Sequence, residues 1–486
     1  MSVDIIPSTK PVGAKASFAA AAFALVLIVV FALERIGAPD RLVAALGPLS
    51  ALVGIAAIGV LARARNLLDF LVAHRAAPAS YAGLALAATA GGLTLALAAS
   101  NTSIDNLPWR GMSVGVVIAA LVVGPRWRAE QASGISDVFA THFPSAFTRV
   151  AFMVLSLACG WALAAAGLGY AALSVRDALS INGNTAIIIC AGVLVLTLAP
   201  GGLRSLVWAD AASAGAGLAI VGLFVALAFR GGSDPSARLE AAEMALRGLP
   251  YAPLVTEVAA AAATASLFAF ATPALSVASP GAARQAGLVA LLALALGAAA
   301  AGSLGDLAVK TPSDSALVGM VAFLPAMALA RAGLFAASRP LGFDLARVHA
   351  RLSVLASRRI AIARAAVVIG AAIAAVVARV SPHPSAPLYL ALGLWLAFAA
   401  PSLALTVISG RSSRPAIAAL VASVLSALAA RLHGFGDPSF GPQLLVGALG
   451  AGLVGVAAGM IVRVLAPGRT PSPRLTDPFV DLPLDD

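Results

Sequence analysis

The chain has 486 residues, of which 60% are hydrophobic and only 11% are charged, whereas soluble domains are about 45–50% apolar. Its apolar runs are continuous rather than alternating, which predicts membrane-spanning helices and excludes the strands of a barrel. The formal charge of +11 is not arranged as a basic stripe with interleaved aromatic residues, so we expect no nucleic-acid partner.

Fourteen apolar segments are predicted to be membrane spans. They cover residues 17–34, 42–62, 79–99, 111–124, 147–169, 184–199, 205–229, 252–279, 286–304, 315–338, 360–380, 386–408, 414–432 and 442–465. The predicted units are a cytoplasmic N-terminus (1–16), two peripheral spans with a cytoplasmic loop (17–78), a five-helix repeat (79–229), an extracytoplasmic loop (230–251), a second five-helix repeat (252–408), two peripheral spans (409–465) and a disordered cytoplasmic tail (466–486).

The distribution of Lys and Arg predicts the orientation. With the N-terminus inside, the cytoplasmic segments carry about twice as many of these residues as the outer segments, as the positive-inside rule requires. The first span is longer than a signal-peptide core and no A-x-A site follows it, so we expect it to be retained. The expected location is a bacterial inner membrane, with both termini in the cytoplasm.

Helix-weakening residues interrupt two of the predicted spans. Gly91 and Gly92 lie at the centre of the third span, and Pro273 lies inside the eighth. These spans are five apart and enter the membrane from opposite sides, which predicts an all-α, LeuT-type fold of two inverted five-helix repeats, each with a broken first helix. The alternative is that glycine and proline serve ordinary packing in membrane helices.

Six stretches within residues 52–409 occur in the order of a known family's motifs. They are ARARNLLDFLVAHRAAP (62–78), GLALAATAGG (83–92), ISDVFATHFPS (135–145), GGLRSLVWAD (201–210), ATPALSVASPGAARQA (271–286) and SRPLGFDLAR (338–347). Together they make the chain similar to the sodium/solute symporter family, in particular its monocarboxylate, acetate-like branch. The resemblance implies alternating access, with sodium held between the third and tenth spans.

The sequence departs from this family at the implied sodium site. Backbone carbonyls would map near Ala88 and Gly91, but the family's paired hydroxyls fall at Ala328 and Leu329. These side chains offer no oxygen, whereas a hard cation needs several oxygen ligands. Coupling to sodium or to protons therefore stays open, and no resident metal or cofactor is expected.

Arg331 stands in the tenth span with no acidic residue close to it in sequence. Intramembrane charges usually face a cavity or a partner. One hypothesis is that its guanidinium replaces the missing cation and pairs with carbonyls between Ala88 and Gly91. The alternative is that its side chain reaches the cytoplasmic headgroups or makes a structural pair.

Polar and small residues near the two interruptions are the candidate substrate contacts. They are Thr89, Gly91, Gly92, Thr94, Thr272, Pro273 and Ser276. Hydroxyls in membrane helices also commonly bond their own backbone. Glu257 could carry a proton or contact the substrate, or simply favour a helix N-terminus. Asp210 and Arg204 are interpreted as a structural clamp.

Two functions fit these features. The first is a secondary transporter of a small organic solute, with a monocarboxylate suggested by the resemblance. The second is a transport-inactive sensor or accessory subunit with a membrane protein partner, favoured by the missing sodium ligands. An enzyme is not expected, because no catalytic motif occurs in a suitable setting. The remaining partner in either case is the lipid bilayer.

Overall fold

The computed structural model describes residues 12–64, 66–98, 108–132, 138–139, 142–143, 145–230, 254–304, 312–341, 356–381, 383–408, 413–432 and 441–465. The predicted tail 466–486 and almost all of the predicted loop 230–251 lie outside these residues.

Helices make up nearly all of the described chain. They are α1 (Val12–Arg35), α2 (Asp40–Leu61), α3 (Leu67–Val72), α4 (Ala79–Ala98), α5 (Trp109–Ile118, a π turn at Ala119–Val123, and Gly124–Ala129), α6 (Ala146–Leu179), α7 (Gly183–Gly201), α8 (Leu203–Arg230), α9 (Leu254–Ser266), α10 (Pro280–Leu304), α11 (Pro312–Arg339), α12 (Ala356–Val380), α13 (Ser385–Leu394, a π turn at Trp395–Ala399, and Ala400–Ile408), α14 (Ser413–Leu432) and α15 (Gly441–Leu465).

Each predicted span coincides with a helix of the structure. Within the described residues, ten helices are long and apolar enough to cross a membrane, or eleven if Leu254–Ser266 and Phe268–Ser276 form one bent span. Large apolar side chains such as Leu292, Leu425 and Leu453 are exposed, as expected for faces that contact lipid. The chain is therefore an integral membrane protein, and the count of fourteen spans stays a prediction.

The centre of the molecule is the contact between α6 and α11. Glycines bring the two backbones together, because a Cβ atom at Gly167 would lie 2.5 Å from the backbone nitrogen of Ala330, and one at Gly333 would lie 2.6 Å from that of Ala164. Such small-residue packing is typical of helices in a membrane. Helix α11 is consequently buried along most of its length.

The predicted break in the eighth span is present, but it begins before Pro273. Helix α9 ends at Ser266, and Leu267 has an extended backbone (φ −65°, ψ 119°). Two 3₁₀ turns follow, Phe268–Phe270 and Pro273–Ser276, and their axis is bent by 45° from α9. Proline inside the apolar run is compatible with this geometry because it cannot donate to a helical ladder.

The predicted break in the third span is wrong. Helix α4 runs without interruption from Ala79 to Ala98, through Gly91 and Gly92. Gly92 serves packing instead, because a Cβ atom there would lie 2.1 Å from the carbonyl oxygen of Pro325 in α11. Glycine allows these two backbones to touch, and the cost of glycine in a helix, about 1 kcal/mol, is too small to break it.

The short helix α3, in the stretch 62–78, contacts the stretch 201–210, which also resembles the family. Its N-cap is Asn66, whose side chain accepts a hydrogen bond from the backbone of Asp69. Asp69 forms an ion pair of 2.8 Å with Arg204 at the start of α8. Gly202 has φ +56°, and a Cβ atom there would lie 2.4 Å from the carbonyl oxygen of Phe70. This junction fixes the start of α8. Arg204 therefore has a structural partner, but that partner is Asp69, whereas Asp210, the other residue of the predicted clamp, pairs with Arg331.

Candidate functional site

A buried ion pair joins α8 to α11 beside α4. Arg331 Nε donates to Asp210 Oδ1 over 2.6 Å, and Arg331 Nη2 donates to Ser213 Oγ over 3.2 Å. The side chains of Arg331 and Asp210 are both 0% exposed. Helix α8 packs against both α4 and α11, and α11 packs against α4, so the pair links two of three helices that pack against one another.

The position of the pair in the helices excludes the headgroup alternative for Arg331. Asp210 lies seven residues after Leu203, the first residue of α8, and Arg331 lies eight residues before Arg339, the last residue of α11. At 1.5 Å per residue both are about 10–12 Å inside their helices. Full burial and the contact with Asp210 show that the guanidinium does not extend to the surface.

The pair satisfies only part of its hydrogen-bonding capacity. Asp210 Oδ2 and Arg331 Nη1 are buried and make no hydrogen bond within the described part of the chain. The contact is therefore a single charged hydrogen bond, whereas arginine and carboxylate commonly form two parallel ones. Among the described residues, one acceptor and one donor of the pair thus remain without a partner.

The four residues mapped to the implied sodium position, all within the described chain, do not provide a set of oxygen ligands. Ala88 and Gly91 lie in the continuous helix α4, where backbone carbonyls accept from the N–H groups four residues later. Ala328 and Leu329 are fully buried on α11, and α4 and α11 are in backbone contact at Gly92. The predicted pairing of Arg331 with the α4 carbonyls is accordingly wrong in its partner, because the guanidinium bonds Asp210 and Ser213 instead.

The break after α9 is stabilised by a side chain that the sequence analysis did not identify. Trp395, the first residue of the π turn in α13, donates its indole N–H to the carbonyl oxygen of Ser266 over 2.7 Å. Its ring meets Phe268 edge to face, with centroids 4.9 Å apart. A broken helix leaves backbone groups without intrahelical partners, and Trp395 supplies one of these partners.

A second clamp holds the far end of the broken segment. Arg128, near the end of α5, donates Nε to the carbonyl of Val277 over 2.7 Å and Nη2 to the carbonyl of Ala278 over 2.5 Å. Its side chain is buried. In the sequence, Arg128 is only one of the basic residues that predict the membrane orientation. Its contact with Val277 and Ala278 is not visible there, because these residues lie about 150 positions further along the chain.

The candidate substrate contacts do not form one compact cluster. The carbonyl of Ser276 accepts from the backbone of Ala77, just before α4, whereas Gly92 contacts Pro325 about 20 Å further along α4 at 1.5 Å per residue. The 3₁₀ turn Pro273–Ser276, which begins directly after Thr272, packs against α4 and α8.

The hydroxyls among these residues bond their own backbone. Thr89 donates to the carbonyl of Ala85, Thr272 to that of Phe268 and Ser276 to that of Pro273. The side chain of Thr94 lies outside the described residues. Each described hydroxyl oxygen can still accept a further hydrogen bond.

Glu257 contacts the backbone of a neighbouring helix. Its Oε2 accepts a hydrogen bond of 2.5 Å from the N–H of Gly111, in the first turn of α5. A carboxylate at a helix N-terminus is favoured by the helix dipole. Glu257 also lies in the first turn of α9 itself, about 14 Å along that helix from the break after Ser266.

No protein-family model matches the chain, and no curated protein matches it in sequence. The structure is similar to that of a Na⁺-coupled sialic acid symporter in a substrate-bound outward-open state, with a TM-score of 0.70 and 15% sequence identity over 90% of this chain and 99% of that one. It is also similar to Mhp1, a nucleobase-cation-symport-1 family transporter in a closed conformation with bromovinylhydantoin bound, with a TM-score of 0.50 and 14% identity over 82% and 95% of the two chains. The chain therefore has the fold of LeuT-type membrane transporters.

Proposed function

We propose that the chain is a secondary transporter of a small organic solute, related to the sodium/solute symporter family and working by alternating access. The observation that supports this most is the break between α9 and the turn Pro273–Ser276 in a LeuT-type fold. Transporters bind substrates at discontinuous membrane helices, where backbone groups are available to a ligand. Trp395 and Arg128 brace the two ends of this break.

In this proposal the solute contacts the broken segment from Leu267 to Ser276, together with α4. Thr272 and Ser276 are buried there and each has lone-pair capacity beyond its backbone bond. The helices around the segment are rich in alanine. Because alanine side chains are small and apolar, we expect the binding region to be compact and largely apolar. A small carboxylate such as a monocarboxylate is the substrate class suggested by the family resemblance.

Sodium coupling at the family's usual position is not part of the proposal. The carbonyls of Ala88 and Gly91 belong to an unbroken helix, and Ala328 offers no oxygen. Arg331 on α11 does not replace the ion there, because its charge is balanced by Asp210. Since the residues at this position do not supply a set of oxygen ligands, the transport cycle would run without sodium.

Uptake by purified protein in proteoliposomes tests the function. Radiolabelled pyruvate, proline and uracil represent a carboxylate, a zwitterion and a nucleobase. We expect saturable uptake of one of them above protein-free liposomes, with the same rate in sodium and in choline buffers. A requirement for sodium would overturn the sodium-independent cycle.

A matched pair of threonine variants tests the site. Thr272→Ala removes a buried hydroxyl from the proposed binding segment, and we expect the KM to rise about fivefold, since one hydrogen bond is worth about 1 kcal/mol. Thr197→Ala is the control, because Thr197 is also buried and its hydroxyl bonds its own backbone over 2.7 Å in α7. Equal effects of the two changes would contradict the placement of the site.

A transport-inactive sensor or accessory subunit is the second candidate. The tight contact at Gly92 and the unbroken helix α4 favour it, because such packing resists the movements of a transport cycle. Absence of uptake for all three probes, together with co-purification of a membrane protein, would support this function in place of transport.

A further inference from the structure

Two atoms of the Asp210–Arg331 pair make no hydrogen bond, and they suggest how the proposed transporter couples to protons and binds its substrate. This extension rests on the proposed function. Asp210 Oδ2 and Arg331 Nη1 are buried, and each lacks a hydrogen-bond partner within the described residues. Leaving such atoms unpaired is costly, by about 1–3 kcal/mol for a neutral group and more for a charged one. This arrangement leaves one position for a proton and one for a hydrogen-bond acceptor.

Charge restricts which ligands can use these positions. A metal cation beside the pair would leave a net positive charge in the buried site, and an anion arriving alone would leave a net negative one. A proton and a carboxylate arriving together leave the net buried charge at zero. An uncompensated buried charge costs several kcal/mol, and this combined exchange avoids that cost while using both unpaired atoms.

We propose that Asp210 binds the coupling proton and that Arg331 binds the carboxylate of an anionic substrate. A proton from water forms an O–H bond on Asp210 Oδ2, and the neutral acid releases Arg331. The substrate carboxylate then accepts hydrogen bonds from the freed N–H groups of Arg331. On the other side of the membrane the substrate leaves, the proton returns to water, and Asp210 pairs with Arg331 again.

The position of the pair connects it to the moving parts of the proposed cycle. Helix α8, which carries Asp210 and Ser213, packs against α4, α11 and the turn Pro273–Ser276. Release of Arg331 from Asp210 therefore loosens the junction between α8 and α11 beside the broken segment. Each transported carboxylate carries one proton, so the transport step is electroneutral.

No other described charged group takes part in the pair. The helices packed against α8 or α11 carry other titratable side chains, and none of them forms an ion pair or a hydrogen bond with Asp210. They are Glu34 and Arg35 of α1, Asp40 and Arg41 of α2, Asp69 of α3, Tyr81 of α4, Arg149, Cys159, Tyr170, Arg176 and Asp177 of α6, Cys190 of α7, Arg204 of α8, Arg284 of α10, Arg339 of α11, and Arg358, Arg359, Arg364 and Arg379 of α12. The pH dependence of coupling is therefore assigned to Asp210.

Radiolabelled pyruvate and an internal pH dye in proteoliposomes test the proposal on the wild-type protein. With an inward gradient of one pH unit and no sodium, we expect about tenfold accumulation, since one unit corresponds to a tenfold equilibrium ratio. We further expect one proton to enter per pyruvate and an imposed membrane potential to have no effect. Pyruvate uptake that ignores the pH gradient would overturn the proposal without affecting the proposed function.

Variants of Asp210 and Arg331 test the proton-binding role and the carboxylate-binding role separately. Asp210→Asn should retain exchange of internal for external pyruvate but lose accumulation driven by the pH gradient, while Arg331→Gln should lose pyruvate binding. Asp69→Asn, which removes the acid of another arginine pair outside the site, should keep proton-driven accumulation. Unchanged coupling in Asp210→Asn would overturn the proposal. If Asp210→Asn fails to fold, the stoichiometry of the wild type decides alone.

The failure of this proposal can be distinguished from the failure of the proposed transporter function. Uptake of proline or uracil without uptake of pyruvate overturns the assignment of a carboxylate to Arg331 and leaves the transporter function standing. Absence of uptake for every probe overturns the proposed function, and the inference falls with it.

Discussion

Two adjacent glycines of α4 differ sharply in their surroundings at the residue scale. A Cβ atom at Gly92 would lie 2.1 Å from the carbonyl oxygen of Pro325, whereas the nearest atom to a Cβ at Gly91 would be the Pro325 Cβ, 3.7 Å away. We expect Gly92→Ala to destabilise the protein by about 1–3 kcal/mol, because backbone must move to make room. Thermal unfolding in detergent measures this loss.

Gly91→Ala is the matched control. The added methyl group makes an ordinary contact there, and alanine stabilises a helix relative to glycine by about 1 kcal/mol. We expect an unchanged or higher unfolding temperature. A loss equal to that of Gly92→Ala would mean that α4 does not touch α11 as described.

At the scale of elements, the break after α9 depends on a contact from α13. Trp395→Phe keeps the aromatic ring against Phe268 but removes the N–H that bonds the carbonyl of Ser266. We expect a loss of about 1–3 kcal/mol, since a partly buried acceptor loses its partner. Hydrogen exchange should show faster exchange in residues 267–276 than in the wild type.

Trp161→Phe is the control for Trp395→Phe. The indole N–H of Trp161 makes no hydrogen bond within the described part of the chain, so its removal should leave both stability and exchange in residues 267–276 nearly unchanged. Equal exchange in the two variants would show that Trp395 does not hold the break.

For the whole molecule, the effect of sodium on the unfolding temperature tests whether the protein binds this ion. A ligand that binds only the folded state raises stability by mass action. Since α4 is continuous and apolar residues fill its contact with α11, we expect equal unfolding temperatures in sodium chloride and choline chloride at equal ionic strength. A saturable, sodium-specific rise would contradict this expectation. The Na⁺-coupled sialic acid symporter of similar fold is the positive control.

Hydropathy located the helices because membrane spans must satisfy their own backbone, so a long apolar run specifies a helix without tertiary information. The same reasoning misplaced one interruption. Gly91 and Gly92 weaken a helix only slightly, and whether the helix breaks depends on its neighbours. In α4 the contact with Pro325 holds the helix intact, whereas after α9 the indole of Trp395 stabilises the broken form.

Hydropathy and residue type are enough to identify a helical membrane protein, to predict an interruption in its eighth apolar segment, and to show that Arg331 needs a special environment, because a lone charge in an apolar run is costly wherever the helix lies. The partner of Arg331, Asp210, lies 121 residues away and is revealed only by the folded chain. Pairing between distant helices depends on which faces they bury against each other, and that is fixed by close packing at residues such as Gly167 and Gly333.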